Sequence, residues 1–243
     1  ACASGAAPAP LGGALLVGTD FRADADRAIA GFQAEGFEVA ARVDGARFNA
    51  FALEDDEGRT RVRIATRAGW ALALDAPSTR HTRPRVGLWN APPDFDSDGR
   101  AEVFVFAEDP AEDRTCASMI RISEEGVASE VRIGADTLGG EVCIEGLDGA
   151  SLVLGVRLAA WSRGRVPRLV VRASGPRHRR LHCEAPAYDD APESPSESWA
   201  RGVEAAACEA IRGRGLNEQR AAFGALFVAP DAHWEAEREV FDE

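Results

Sequence analysis

DFDSDGRAEVFVF, residues 94–106, places an acidic loop directly before an apolar run. The run Val103–Phe106 consists of β-branched and aromatic residues, which are typical of a buried strand. Pro92 and Pro93 exclude a helix entering the loop, because proline lacks a main-chain N–H and restricts the residue before it. The segment therefore predicts a loop that connects one strand to another.

The β pattern extends on both sides of this segment, from Gly36 to about Ala173. Polar and apolar residues alternate in Arg61-Val62-Arg63-Ile64, and Leu152-Val153-Leu154 is a buried-type run. Glycine-containing pairs typical of turns separate these runs, at Asp44-Gly45, Glu57-Gly58, Glu125-Gly126 and Asp148-Gly149. We therefore expect a mainly β fold of about nine or ten antiparallel strands, as a sandwich or a partial propeller-like domain.

Changes in composition predict four segments. Residues 1–13 are small and uncharged, which predicts a flexible tether. Residues 14–175 are the β-rich domain with the acidic loop. Residues 176–198 are rich in Pro, Ser and acid and predict a linker. Residues 199–243 predict a short helical C-terminal segment.

Helical spacing occurs at both ends of the chain. Ile29 and Phe32 follow acidic residues suited to a helix start, which predicts a short helix from Asp24 to about Ala34. Residues 197–212 have apolar residues near the helical period, with Ser196 or Ser198 as the expected N-cap. Two further short helices are expected at residues 219–227 and 233–241.

The charge of the chain limits the partners that it can have. A formal net charge of −12 over 243 residues argues against a general binder of nucleic acid or anionic lipid, because like charges repel at long range. The sequence contains no apolar stretch near the ~18 residues that span a bilayer. We expect membrane contact only through a lipid anchor.

The first residues predict export and lipidation. In Ala1-Cys2-Ala3-Ser4-Gly5 a small residue precedes a cysteine that small polar residues follow. This resembles the end of a bacterial lipoprotein signal, which implies a lipid on Cys2 and a location in the outer membrane, in the periplasm or on the cell surface. The alternative is an ordinary export signal that leaves a free cysteine.

The four remaining cysteines predict disulfides, because an even number in an exported chain favours pairing. Sequence neighbours are the simplest pairs, Cys116 with Cys143 and Cys183 with Cys208, and the other connectivities stay open. None of the four lies in a C-x-x-C pair, so a structural zinc site has little support.

Residues 94–102 match the pattern D-x-D-x-D-G-x-x-[DE]. Calcium prefers hard oxygen ligands, and carboxylates at the first, third and fifth positions, a main-chain carbonyl at the seventh and an acid at the ninth can surround one ion. Gly99 at the sixth position allows the sharp turn. Val105 occupies the twelfth position, where an EF-hand has its bidentate Glu, so the loop is not an EF-hand.

The segment DFDSDGRAEVFVF resembles the calcium loop and following strand of FG-GAP/VCBS-type repeats, the integrin-α-like blades of secreted bacterial proteins. The resemblance covers a single repeat. It implies that a Ca²⁺ ion stiffens the loop. Its implied ligands are the side chains of Asp94, Asp96, Asp98 and Glu102 and the carbonyl of Arg100.

Three functions are consistent with these features. The first is a calcium-binding, envelope-anchored bacterial β protein that binds an envelope protein or polysaccharide, or has a structural role. The second is a secreted hydrolase with a site assembled from separate strands, although no G-x-S-x-G, H-E-x-x-H or P-loop motif occurs. The third is a polyanion binder that uses the arginine-rich segment 163–182.

Overall fold

The chain forms two compact units, residues 1–131 and residues 132–243. The structure is a computed structural model that describes residues 20–76, 84–110, 114–131, 141–157, 168–174, 180–184, 188, 190–192, 195–212 and 218.

The first unit begins with a helix and a four-stranded antiparallel sheet. The helix is α1 (Phe21–Ala34). The strands are β1 (Phe37–Asp44), β2 (Phe48–Asp55), β3 (Thr60–Thr66) and β4 (Gly69–Asp75). They pair in chain order through short turns. In β3 the predicted alternation holds, because Val62 and Ile64 are buried while Arg61 and Arg63 are partly exposed.

A second antiparallel sheet of the same unit carries the acidic loop. Its strands are β5 (Val86–Leu88), β6 (Ala101–Asp109), β7 (Arg114–Ile122) and β8 (Ala128–Val131). β5 pairs with β6, β6 with β7, and β7 with β8. The acidic loop lies in the connection from β5 to β6, so both of its ends are fixed to neighbouring strands.

The two sheets of the first unit share one apolar core. The first sheet contributes side chains such as Phe48 and Ile64, and the second contributes Val103, Val105 and Ile122. Alternate side chains of each strand therefore face the other sheet, as in a β-sandwich. Burial of these side chains anchors β6 and fixes the position at which the acidic loop ends.

Helix α1 covers the outer face of the first sheet. Its buried residues Ala25 and Ile29 pack with Phe51 and Leu53 of β2. Asp20 caps the helix by accepting a hydrogen bond from the N–H of Arg22 at 3.0 Å. The helix therefore starts a turn earlier than the predicted Asp24.

The second unit contains an antiparallel meander and a helix. The meander consists of β9 (Glu141–Asp148), β10 (Ser151–Arg157), β11 (Arg168–Ser174) and β12 (Arg180–Glu184). The helix is α2 (Pro195–Ile211). A disulfide joins Cys183 of β12 to Cys208 of α2, and both residues are buried. The bond therefore attaches the helix to the edge strand of the meander.

The prediction of a mainly β, antiparallel fold with a C-terminal helix is confirmed. The described residues contain twelve strands rather than nine or ten, because β5 and β8 are too short to give a clear pattern. The expected N-cap is wrong, since Ser196 and Ser198 lie inside α2. Its first residue is instead Pro195, whose missing N–H costs nothing in a first helical turn.

The four predicted segments stay a prediction. β12 lies within residues 176–198, the stretch predicted to be a linker. The predicted tether of residues 1–13 and the predicted helices 219–227 and 233–241 fall outside the described residues.

Candidate metal centre

The acidic loop of residues 94–102, called the Asp loop below, holds its aspartate side chains against its own main chain. The N–H of Asp98 donates to Asp96 Oδ1 at 3.1 Å, and the N–H of Arg100 donates to Asp98 Oδ1 at 2.9 Å. The N–H of Gly99 donates to Asp94 Oδ2 at 3.2 Å. These hydrogen bonds gather the three carboxylates around one short stretch of chain.

Two residues bend the Asp loop sharply. Ser97 has φ 56° and Gly99 has φ 81°, both in the left-handed region. Glycine reaches this region without a Cβ clash, which explains the residue at position 99. The chain reverses direction here, so the end of the Asp loop lies beside its beginning. There the N–H of Glu102 donates to the carbonyl of Pro93 at 2.7 Å.

An aromatic cluster anchors the Asp loop to the second sheet. Phe95 is buried and meets Phe104 edge-on, with ring centroids 5.1 Å apart. Trp89 stacks on Phe104 and Phe106, with centroids 6.4 and 6.3 Å away. A Cβ at Gly87 would lie 2.4 Å from the ring of Phe106, so only glycine leaves room for this ring on β5. Apolar packing therefore positions a loop in which five of the nine residues are charged.

Three carboxylates of the Asp loop lie close enough to share one ion. One oxygen each from Asp94, Asp96 and Glu102 can be chosen so that all lie within 4.8 Å of one another. Two oxygens bound to the same calcium ion, each about 2.3–2.6 Å from it, can be at most about 5 Å apart. The cluster could therefore hold a metal ion. Asp94 is exposed and Glu102 is only 1% exposed, so the cluster extends from the surface into the protein.

Arg121 of β7 enters this cluster from the neighbouring strand. The register places it directly opposite Glu102. Its Nε lies 3.0 Å from Glu102 Oε1, and its Nη2 lies 2.6 Å from Asp96 Oδ2 and 3.7 Å from Asp98 Oδ2. The side chain is only 12% exposed, so these pairs are poorly screened by water. One guanidinium thus contacts three carboxylates.

Burial and charge shift the pKa values of the central pair. Burial raises the pKa of Glu102, and the charge of Asp96 raises it further, against the lowering effect of the hydrogen bond from Arg121. For Arg121, burial acts to lower the pKa, but the hydrogen bond to Glu102 and the charges of Asp96 and Asp98 outweigh it and raise the pKa. Glu102 therefore lies where additional positive charge would favour its ionised form.

A second arginine contacts the Asp loop from the first sheet. Arg47, in the turn between β1 and β2, donates from Nη1 to the carbonyl of Gly99 at 3.4 Å. Its Nη2 lies 3.2 Å from Glu124 Oε1 in the turn between β7 and β8. Arg47 links the loop to two turns of the sandwich without touching the clustered carboxylates in any described contact.

The predicted ligands are only partly brought together. Asp94, Asp96 and Glu102 form the cluster, and Asp98 joins it through Arg121. Arg100 lies in the loop, and a ligand role for its carbonyl stays a prediction. The sequence interpretation missed Arg121, which has no place in the loop motif. Only the pairing of β6 with β7, with Glu102 opposite Arg121, could have revealed it.

The prediction of disulfides is confirmed. Cys183 bonds to Cys208, and Cys116 and Cys143 are also disulfide-bonded cysteines. Disulfides are compatible with an exported protein. The lipidation of Cys2 falls outside the described residues and stays a prediction.

The arginine-rich segment is described only in part. Arg172, one of its residues on β11, forms an ion pair with Asp148 of β9. Residues 163–167 and 175–179 fall outside the described part of the chain. Polyanion binding and the hydrolase alternative both stay predictions.

Fold and site together define an antiparallel β protein with an acidic loop that could hold a metal ion. Comparisons with protein-family models, with curated protein sequences and with solved structures give no match for this chain. Among the described residues, no helix combines the length and apolar character needed to cross a membrane.

Proposed function

We propose that this chain is a calcium-binding β module of an exported, envelope-anchored bacterial protein, with a binding or structural role. One observation carries the proposal: carboxylate oxygens of Asp94, Asp96 and Glu102 lie within 4.8 Å of one another. The resemblance of residues 94–106 to an FG-GAP/VCBS-type calcium loop supports it independently of the geometry.

The chemistry of the donors favours calcium over the other common ions. The cluster contains carboxylates only, whereas structural zinc sites use Cys and His. Magnesium demands a near-ideal octahedron and usually keeps several waters, so a crowded acidic loop suits it less well. Calcium accepts six to eight oxygens in flexible geometry. Asp98 and the carbonyl of Arg100 would add to the three clustered side chains.

An ion at this position would have a structural effect. Asp94 begins the Asp loop, and Glu102 lies on the buried strand β6. A bound cation would join these two ends and relieve the repulsion among neighbouring carboxylates. The loop would then present a fixed surface to a partner, which we propose to be an envelope protein or polysaccharide.

Calorimetric titration with calcium tests the proposal. The chain with Cys2→Ser is compared with the same chain carrying Asp96→Ala and Asp98→Ala. We expect one ion per chain and a higher melting temperature in calcium than in chelator. The double variant should lose both effects.

A matched control removes two carboxylates from a different acidic turn. Asp56→Ala with Glu57→Ala alters exposed residues between β2 and β3. This variant should bind calcium as the parent chain does. If it loses binding to the same extent as the Asp loop variant, or if the parent chain binds no calcium, the proposed function is wrong.

A further inference from the structure

Arg121 places a positive charge of the protein's own against the carboxylates of the Asp loop. Its guanidinium lies within 3.0 Å of oxygens of both Asp96 and Glu102, and these are two of the three clustered carboxylates. Both carboxylate side chains are 0% exposed. The charge of a buried carboxylate must be compensated from within the protein, and here the chain supplies a cation of its own.

Simultaneous binding of a metal ion and this guanidinium to the same two carboxylates is energetically unfavourable. Both are positive, and in a partly buried site their repulsion is much less screened than in water. Asp96 and Glu102 also have a limited number of oxygen lone pairs. One oxygen of each faces Arg121, while Glu102 Oε2 accepts the N–H of Phe95 at 3.0 Å.

We propose that Arg121 is a built-in competitor of the metal ion and sets the calcium affinity of the Asp loop. This inference rests on the proposed function. With the guanidinium paired to Asp96 and Glu102, the loop keeps its fold without metal. Ion binding then requires that Arg121 give up these two contacts.

Competition between Arg121 and calcium predicts a range for the calcium dissociation constant of the Asp loop. A loop of four acidic side chains without an internal cation would bind calcium tightly, because affinity rises with the number of charged ligands. Displacement of Arg121 breaks its ion pairs with Asp96 and Glu102, and this lowers the net affinity for calcium. We therefore expect a dissociation constant of roughly 10⁻⁴–10⁻³ M, the range of extracellular calcium modules. Such a site responds to calcium outside the cell.

The test compares two arginine variants of the full chain by calcium calorimetry. Arg121→Met removes the charge but keeps an apolar stem of similar length. Arg47→Met is the matched control, since it removes the same charge from a residue whose one described contact with the Asp loop is the carbonyl of Gly99. Melting curves in chelator and in calcium report stability separately from binding.

We expect Arg121→Met to bind calcium at least about tenfold more tightly than the parent chain, which corresponds to about 1.4 kcal/mol. Arg47→Met should change the affinity less than about threefold, because Arg47 is partly exposed to screening water and its described contacts include none of the clustered carboxylates. In chelator, Arg121→Met should melt below the parent chain. In calcium it should melt at or above the parent temperature.

Other outcomes distinguish a failure of the Arg121 proposal from a failure of the calcium-binding proposal. If the parent chain binds calcium and Arg121→Met binds it equally or more weakly, Arg121 is not a competitor while the calcium function stands. If Arg121→Met stays unfolded even in millimolar calcium, the guanidinium is a required part of the fold and the competition proposal fails. If neither chain binds calcium, both proposals fail. Binding by Arg121→Met alone supports the competition and overturns the calcium function of the native chain.

Discussion

Substitution of Glu102 by glutamine separates the stability of the fold itself from the stability that calcium adds. Glutamine keeps the size of the side chain, and its Oε1 can still accept the N–H of Phe95. Its amide N–H₂ cannot accept the hydrogen bond that Arg121 Nε donates to Glu102 Oε1 at 3.0 Å. Burial and the charge of Asp96 raise the pKa of Glu102, so loss of the charge partly offsets the loss of that bond.

The expected magnitudes differ between chelator and calcium. In chelator the variant should lose about 1 kcal/mol, the net contribution of one hydrogen bond. For a chain of 243 residues this is a fall in Tm of roughly 2–4 °C. Calcium at about 100 times its dissociation constant should stabilise the parent chain by about 2.7 kcal/mol. The variant lacks one of the carboxylates proposed as ligands and should gain little of this, so the difference grows to roughly 3–4 kcal/mol.

Thermal melting followed by circular dichroism, with EDTA or with calcium, measures both quantities. Glu124→Gln is the control, because this carboxylate is exposed and pairs only with Arg47 among its described contacts. It should behave as the parent chain in both conditions. An equal calcium-induced rise in Glu102→Gln and in the parent chain would refute the ligand role of Glu102. A loss above about 3 kcal/mol in chelator would show that the fold favours the charge.

The pH dependence of the stability of the folded chain follows from the raised pKa of Glu102. In chelator, ionised Glu102 destabilises the folded chain at pH values above its folded pKa. This penalty disappears as the pH falls through the folded pKa to below the unfolded value, about 4.3. If Glu102 is a calcium ligand, as proposed, the sign reverses in calcium, because a metal ligand must be deprotonated. The calcium-induced rise in Tm should therefore shrink as the pH falls through the folded pKa of Glu102.

Three further predictions concern the fold. Phe95→Ala removes the buried ring that anchors the Asp loop and should lower the free energy of unfolding by about 3–5 kcal/mol; a loss below about 1 kcal/mol in urea melts would contradict this anchoring role. Cys183→Ser with Cys208→Ser opens a bond between residues 25 positions apart and should lower stability by about 3 kcal/mol; unchanged hydrogen exchange in the C-terminal helix would count against the attachment described above. Asp55 has a lowered pKa because its hydrogen bonds with Arg59 outweigh the opposing effect of burial, so its contribution is lost as the pH falls through its folded pKa. Asp55→Asn should flatten this part of the acid unfolding curve, and an unchanged curve would argue against the interaction.

Local patterns in the sequence predicted most strands and the position of the Asp loop. Val103–Phe106 is a buried-type run, and it forms the centre of β6. The prolines before the loop excluded an entering helix, and the described structure has irregular chain there. These features depend on neighbours within a few residues, which is why sequence alone can reveal them.

Features that depend on strand pairing could not be predicted in the same way. Arg121 is 19 positions from Glu102, and nothing in the sequence between them marks the two as partners. Their contact follows from the β6–β7 register, which the burial of both strands against the sandwich core fixes.

The aromatic cluster beneath the Asp loop provides an optical signal that needs no added label. Trp89 stacks on Phe104, and Phe104 also meets Phe95, a residue of the loop itself. A shift of the loop that moves Phe95 would therefore change the surroundings of a ring that contacts Trp89, and the emission of an indole depends on its surroundings. Calcium titrations can therefore be followed by intrinsic fluorescence, with Trp89→Phe identifying the part of the signal that originates beside the loop.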